Sequence, residues 1–285
     1  MNTGKFKHAP RAVTKVMSFT SGKGGVGKTS TVVNTAIALA RMGRSVLVLD
    51  ADLGLANVDV LLGIEPKHTI FDVLQGRCTL EEVMIDGPAG ISIIPASSGV
   101  EHMASLSAQE RASLMEAIEG LAYDFDYLLI DTSAGIGADV MHFNCASEEI
   151  ICIVNPEPTS LTDAYALIKV LSSTYGERSI NVVVNNVRAE GKLGEREAQK
   201  VFERLAQAVE RFLQIELRYL GYLPSDSSVV EAIRQQKALM ELYPSSPAGL
   251  ATTALAKRIE HEFSEYRVKG GMQFFFQQLL ELSHG

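Results

Sequence analysis

With 285 residues, 46% of them hydrophobic and 21% charged, the chain is long enough for one large α/β domain, or at most two, and apolar enough to bury a core. Its formal charge of −8 gives no global basic field, so direct contact with nucleic acid is not expected. The three cysteines, Cys78, Cys145 and Cys152, form no C-x-x-C pair, which argues against a zinc site or cysteine-held cluster and for a reducing, cytosolic compartment; no run reaches the ~18 apolar residues of a membrane span.

Residues 1–14 are polar and weakly patterned, a short flexible lead-in. Val16–Thr20 reads as a strand and Ser30–Met42 as a helix, and between them lies Gly22-Lys23-Gly24-Gly25-Val26-Gly27-Lys28-Thr29. This fits the phosphate-binding pattern G-x-x-x-x-G-K-[ST] in the strand–loop–helix context that gives it meaning. Glycines let backbone N–H groups turn toward phosphate oxygens, the helix start adds partial positive charge, and Lys28 adds a full one. Thr29 offers the hydroxyl that Mg²⁺ needs. Lys23 is a second lysine, at a position where the generic pattern requires nothing.

Ser45–Asp50 is an apolar run ending in an acid, as expected of a parallel strand buried on both faces, and Asp52 follows on a short loop of acidic and small residues. Residues 69–86 read as two short helices and Ile91–Pro95 as a strand; Ser107, with Glu110 three residues on, reads as a helix start. Tyr127–Asp131 is a further strand ending in an acid. Glu149–Val154, Ile180–Val184 and Leu217–Leu223 complete the strands, alternating with helices to Tyr175, over 194–214 and on to about Tyr266. This alternation predicts an α/β fold, a mostly parallel sheet with helices on both faces. In such sheets ligand-binding groups collect at the carboxyl ends of the strands. Asp131 is the expected holder of the Mg²⁺ water shell and Asp52 the candidate for orienting an attacking water. Asp50 could contact Mg²⁺ through water or simply cap its strand.

In the tail, Met272, Phe275, Phe276, Leu279 and Leu280 recur at helical spacing with Gln273, Gln277 and Glu281 opposite, after a Gly270-Gly271 hinge. Two readings stay open: an amphipathic helix lying in a membrane surface, or a terminal helix docked on the domain.

Together the motifs resemble those of the MinD/ParA family of P-loop ATPases. Lys23–Thr29 looks like its deviant Walker A motif, Asp50–Asp59 like its first switch and Asp131–Gly135 like its second; Asp52–Asp59 with Glu157–Tyr165 looks most like the FlhG/FleN branch, which regulates flagellar number and placement. The resemblance implies a P-loop NTPase fold over 15–268, a membrane-targeting helix over 269–285, and ATP with Mg²⁺ as cofactors. Gly24, Gly25, Val26, Gly27, Lys28, Thr29 and Ser30 would hold the phosphates, with Thr29 on the metal. Lys23 would reach across an ATP-sandwich homodimer to the partner's phosphates, and Asp163 could pair with it. Asn185 matches the family's adenine-reading asparagine, although a turn-forming asparagine is the plain alternative. Pro224 and Asp226 sit where the family closes over the base, and Glu157 would lie near nucleotide at the dimer interface.

The implied behaviour is a slow ATPase switch, cytoplasmic and reversibly peripheral on the inner membrane face, at the pole. Its implied partners are a FleQ-like flagellar transcription activator, the flagellar GTPase FlhF or switch-complex components. Septum-site or chromosome-partition ATPases, or a nucleotide-gated scaffold with negligible turnover, are the alternatives; a metal-cluster carrier would need a C-x-x-C. Two departures stand out. Ser133 replaces the usual proline or alanine of the second switch, and Met1–Lys15 lacks the Asp-Gln-Ala element with which many FlhG proteins stimulate FlhF.

Overall fold

The computed structural model describes residues 14–52, 57–96 and 125–263. The expected helix at Ser107 and the amphipathic tail lie outside the described residues. Eight strands form one sheet in the order β3-β4-β2-β5-β1-β6-β7-β8: β1 (Lys15–Ser21), β2 (Val46–Ala51), β3 (Ile85–Asp86), β4 (Ser92–Ile94), β5 (Tyr127–Ala134), β6 (Glu149–Val154), β7 (Ser179–Val187) and β8 (Glu216–Pro224). Every pairing is parallel except β3 with β4. This is the mostly parallel sheet expected of the sequence.

The helices are α1 (Lys28–Arg41), α2 (Val58–Leu62), α3 (Ile70–Leu74), α4 (Leu80–Val83), α5 (Ala138–Ala146), α6 (Pro158–Ser173), α7 (Gly191–Phe212), α8 (Ser227–Arg234), α9 (Leu239–Leu242) and α10 (Pro247–Glu262). Alternate strand residues point to opposite faces. Met17 and Phe19 of β1, Val46 and Val48 of β2, and Leu129 of β5 pack with Val33 and Ile37 of α1 and Leu255 and Ile259 of α10. The intervening residues pack the other way: Leu47, Leu49, Leu128 and Ile130 against Ile70 and Leu80, and Cys152, Val182 and Val184 against Leu167 and Leu205. Cys145 and Cys152 are small buried core residues.

The same alternation decides where the acids point. Asp50 continues the Val46, Val48 row and Asp131 the Tyr127, Leu129 row, so both carboxylates emerge on the α1 side. The crossover from β1 to β2 passes β5, and the one from β5 to β6 passes β1, so the two leave in opposite directions. A crevice opens at the strands' carboxyl ends, and the loop of residues 22–27 lies in it.

Candidate functional site

The loop is shaped by glycines at specific points. Gly25 and Gly27 have φ of 77° and 87°, a left-handed region costly for other residues. A Cβ at Gly22 would run into the backbone of Asp163 and Ala164 in α6, and one at Gly27 into the Asn185 amide. Gly24 and Gly25 face open space on the side where a Cβ would project. Gly27 leads into α1, whose first turn holds no acid and has no side-chain cap, leaving its N–H groups for an anion.

Lys28 and Thr29 converge on Asp131. Lys28 Nζ donates to Asp131 Oδ1 at 2.6 Å and Thr29 Oγ1 to Asp131 Oδ2 at 2.6 Å. Asp131 is fully buried; burial raises its pKa, and the charge and hydrogen bond of Lys28 oppose the rise without cancelling it. Ser30 sits one position further on, where its carbonyl and hydroxyl accept from Asn34 Nδ2. Asn34 Oδ1 accepts from Met240 N at 2.8 Å, which ties α1 to α9.

Asp50 holds the chain that follows its strand. Its Oδ1 accepts from Asp52 N (3.1 Å), and its Oδ2 from Asn57 N (2.9 Å) and Val58 N (3.1 Å). It therefore holds both described ends of the Asp52–Val58 loop and the start of α2. Its pKa is pushed up to about 7, first by burial and then by Asp131, against those three bonds. Asp52, partly exposed, has its Oδ2 in reach of Asn57 Nδ2 at 3.3 Å.

Lys23 projects out of the loop. Its Nζ lies 3.2 Å from Glu157 Oε2 and 3.2 Å from Thr159 Oγ1, so its partner is Glu157, ahead of α6, where Asp163 had been expected. Asn185 lies near the end of β7 beside the loop, with Nδ2 donating to Val26 O at 2.7 Å and Oδ1 accepting from Asn186 N at 2.8 Å. Pro224 closes β8. Asp226 caps α8, accepting from Ser228 N at 2.8 Å and Ala248 N at 3.0 Å. The described residues expected to meet nucleotide lie along one sheet edge, with Pro224 and Asp226 at the far strand of that edge.

This donor set fits a nucleoside triphosphate with Mg²⁺: an open glycine-lined cradle, one buried lysine, and the hard oxygens of Thr29 and Asp131. The sheet and the loop define a P-loop ATPase. A family model described as "AAA domain" matches residues 14–184. The chain is 43% identical over 267 residues to the antiactivator FleN of Pseudomonas aeruginosa (94% of each chain), and 33% identical over 272 residues to the flagellum site-determining protein YlxH of Helicobacter pylori (94% of this chain, 90% of the relative). Among solved structures it resembles the cell division ATPase MinD of Pyrococcus furiosus, at TM-score 0.70 and 27% identity over 87% of this chain and 99% of that one. It also resembles MinD complexed with Mg-ADP from Pyrococcus horikoshii, at TM-score 0.70 and 26% identity over 90% of this chain and 100% of that one. The chain belongs to the MinD/ParA family of P-loop ATPases, on its FlhG/FleN side, and its cofactors are ATP and Mg²⁺.

Helix α5, between β5 and β6, and strand β3, at the end of the 69–86 stretch expected to hold two short helices, escaped the sequence reading, as did two further features. Helix α2 is five residues long, too short for a periodic signal. Asn155, just past β6, is buried and lies against the loop; in an Asn-Pro step it reads as an ordinary turn residue.

Proposed function

We propose that the protein is an ATP-dependent dimerising switch that associates with a membrane surface and regulates the number and placement of flagella. The observation that carries this reading is Lys23. It adjoins a nucleotide loop whose own charge is already supplied by Lys28, and it is 41% exposed against a Glu157 that is 56% exposed. Surface pairs of this kind contribute about 0–1 kcal/mol, so Lys23 is free to leave Glu157 for a stronger anion. Two triphosphates brought face to face would provide that anion and would need the added cation.

Bound ATP supplies the phosphoryl group, and Mg²⁺ offsets its charge. Lys28 would hold the β/γ-phosphates, Thr29 the metal, and Asp131 the metal's water shell. Asp52 would orient the attacking water, and Asp50 would keep its loop in place. Asn185, Pro224 and Asp226 would border the base, with Glu157 at the interface between subunits. Turnover would be slow, since hydrolysis resets the switch.

The tail over 269–285, with Met272, Phe275, Phe276, Leu279 and Leu280 on one face, would bind the inner face of the membrane weakly as one copy and strongly as two. Among the described residues no helix is long and apolar enough to cross a membrane. The protein would be cytoplasmic, reversibly peripheral and polar, and would act on a FleQ-like activator, FlhF or switch-complex components. The likeness to FleN and YlxH supports this reading over septum placement.

Liposome co-sedimentation with ATP or ADP tests it, using wild type, Asp52→Ala and a chain truncated at Lys269. Binding should need ATP, be retained in Asp52→Ala, and vanish on truncation. Equal binding in ADP and ATP would sink the switch.

A further inference from the structure

Two asparagines from neighbouring strand ends converge on one carbonyl of the nucleotide loop. Asn185, near the end of β7, donates Nδ2 to Val26 O at 2.7 Å. Asn155, just past β6, is 8% exposed, and with its amide oriented to satisfy its surroundings Nδ2 donates to Val26 O at 3.3 Å and to Asn185 O at 3.3 Å. The opposite orientation would set an amide oxygen against two carbonyl oxygens, so the surroundings choose the donor. Asn155 is itself held by its backbone N–H, which donates to Ser160 Oγ in α6 at 3.0 Å. Two residues further on is Glu157, the partner of Lys23.

We infer that Asn155 is a positioning residue for nucleotide binding. It fixes the Val26 carbonyl and the Asn185 backbone, and so presets the loop between Gly25 and Gly27 before nucleotide arrives. A carbonyl tied back by two amides leaves the neighbouring loop N–H groups turned the other way, toward the crevice. Ordering the loop in advance lowers the cost of binding. The inference rests on this loop being the ATP site, and Asn155 need not touch the nucleotide.

The test is binding of a fluorescent MgADP analogue to N155A, N155D, N185A and the N155A/N185A double variant, with thermal melting run alongside. N155A should bind about tenfold more weakly, the scale of one lost buried hydrogen-bond set. N155D keeps the shape, leaves no cavity and replaces the donor by an acceptor, so it should bind more weakly still; it carries the test if the alanine variant fails to fold. Because both side chains act on Val26, the double variant should lose less than the product of the two single losses. Wild-type affinity in a folded N155D overturns the inference, as do losses that multiply or a fall in melting temperature with affinity unchanged. Loss of all MgADP binding in the wild type would instead refute the nucleotide site itself.

Discussion

Asp50 and Asp131 sit directly opposite each other on β2 and β5, both fully buried, and among the described residues Lys28 bonds to Asp131 and not to Asp50. Both carboxyls are raised, Asp50 from 3.8 to about 7. A raised carboxyl keeps its proton in the folded chain after the unfolded chain has lost it. Its contribution therefore favours the fold at low pH and is lost as pH rises from 3.8 through about 7. Without nucleotide or Mg²⁺, the melting temperature should fall by a few degrees between about pH 5 and pH 8. Asp50→Asn, which cannot ionise, should flatten that slope, measured by circular dichroism in EDTA.

Asp226 works in the opposite sense. Burial raises its pKa, but the N–H bonds from Ala248 and Ser228 outweigh burial and hold it below 3.8. Its stabilisation is present above that value and is lost as pH falls through the folded one. Asp226→Ala should cost about 1–2 kcal/mol at neutral pH by removing a helix cap, and the deficit should shrink in acid. Urea denaturation at neutral and acidic pH measures both.

Gly22 is where the loop touches α6. Gly22→Ala would push a methyl group into the Asp163 backbone, which cannot yield as a side-chain tip would. Overpacking of this kind costs about 1–3 kcal/mol. ATP affinity should fall well beyond what the melting temperature alone suggests, because the displaced segment carries the loop; isothermal calorimetry beside a melting curve separates the two.

Lys23 and Asp52 should divide the switch between them. Lys23→Ala should bind ATP as a monomer on size-exclusion chromatography; a dimer that persists with ATP would remove the across-interface role. Asp52→Ala should still pair with ATP but hydrolyse it about a hundredfold more slowly, as when a water-orienting group is lost.

The nucleotide half of the site was legible because its signals are local. A strand buried on both faces reads as an unbroken apolar run, so the acids ending Val46–Asp50 and Tyr127–Asp131 stand out, and a phosphate loop needs glycine and lysine at fixed spacing. Partner choice was not legible. Asp163 was the residue that could pair with Lys23, but Gly22 packs against the backbone at Asp163, and Glu157, ahead of the helix, meets the amine. Asn155 was invisible for a similar reason: its neighbours, Val26 and Asn185, are brought to it only by strand order. The capping duty of Asp50 depends on backbone N–H groups two to eight residues downstream, which composition does not reveal.

Lys15 Nζ donates to the carbonyl of Phe263, just past α10, and lies 5.7 Å from the centre of the Tyr127 ring. Lys15 opens β1, and β1 ends where the loop bearing Lys23 begins. One seven-residue strand, about 20 Å long, is thus a stiff rod with nucleotide chemistry at one tip and the departure point of residues 264–285 at the other. Any lengthwise shift of that rod reaches both ends at once.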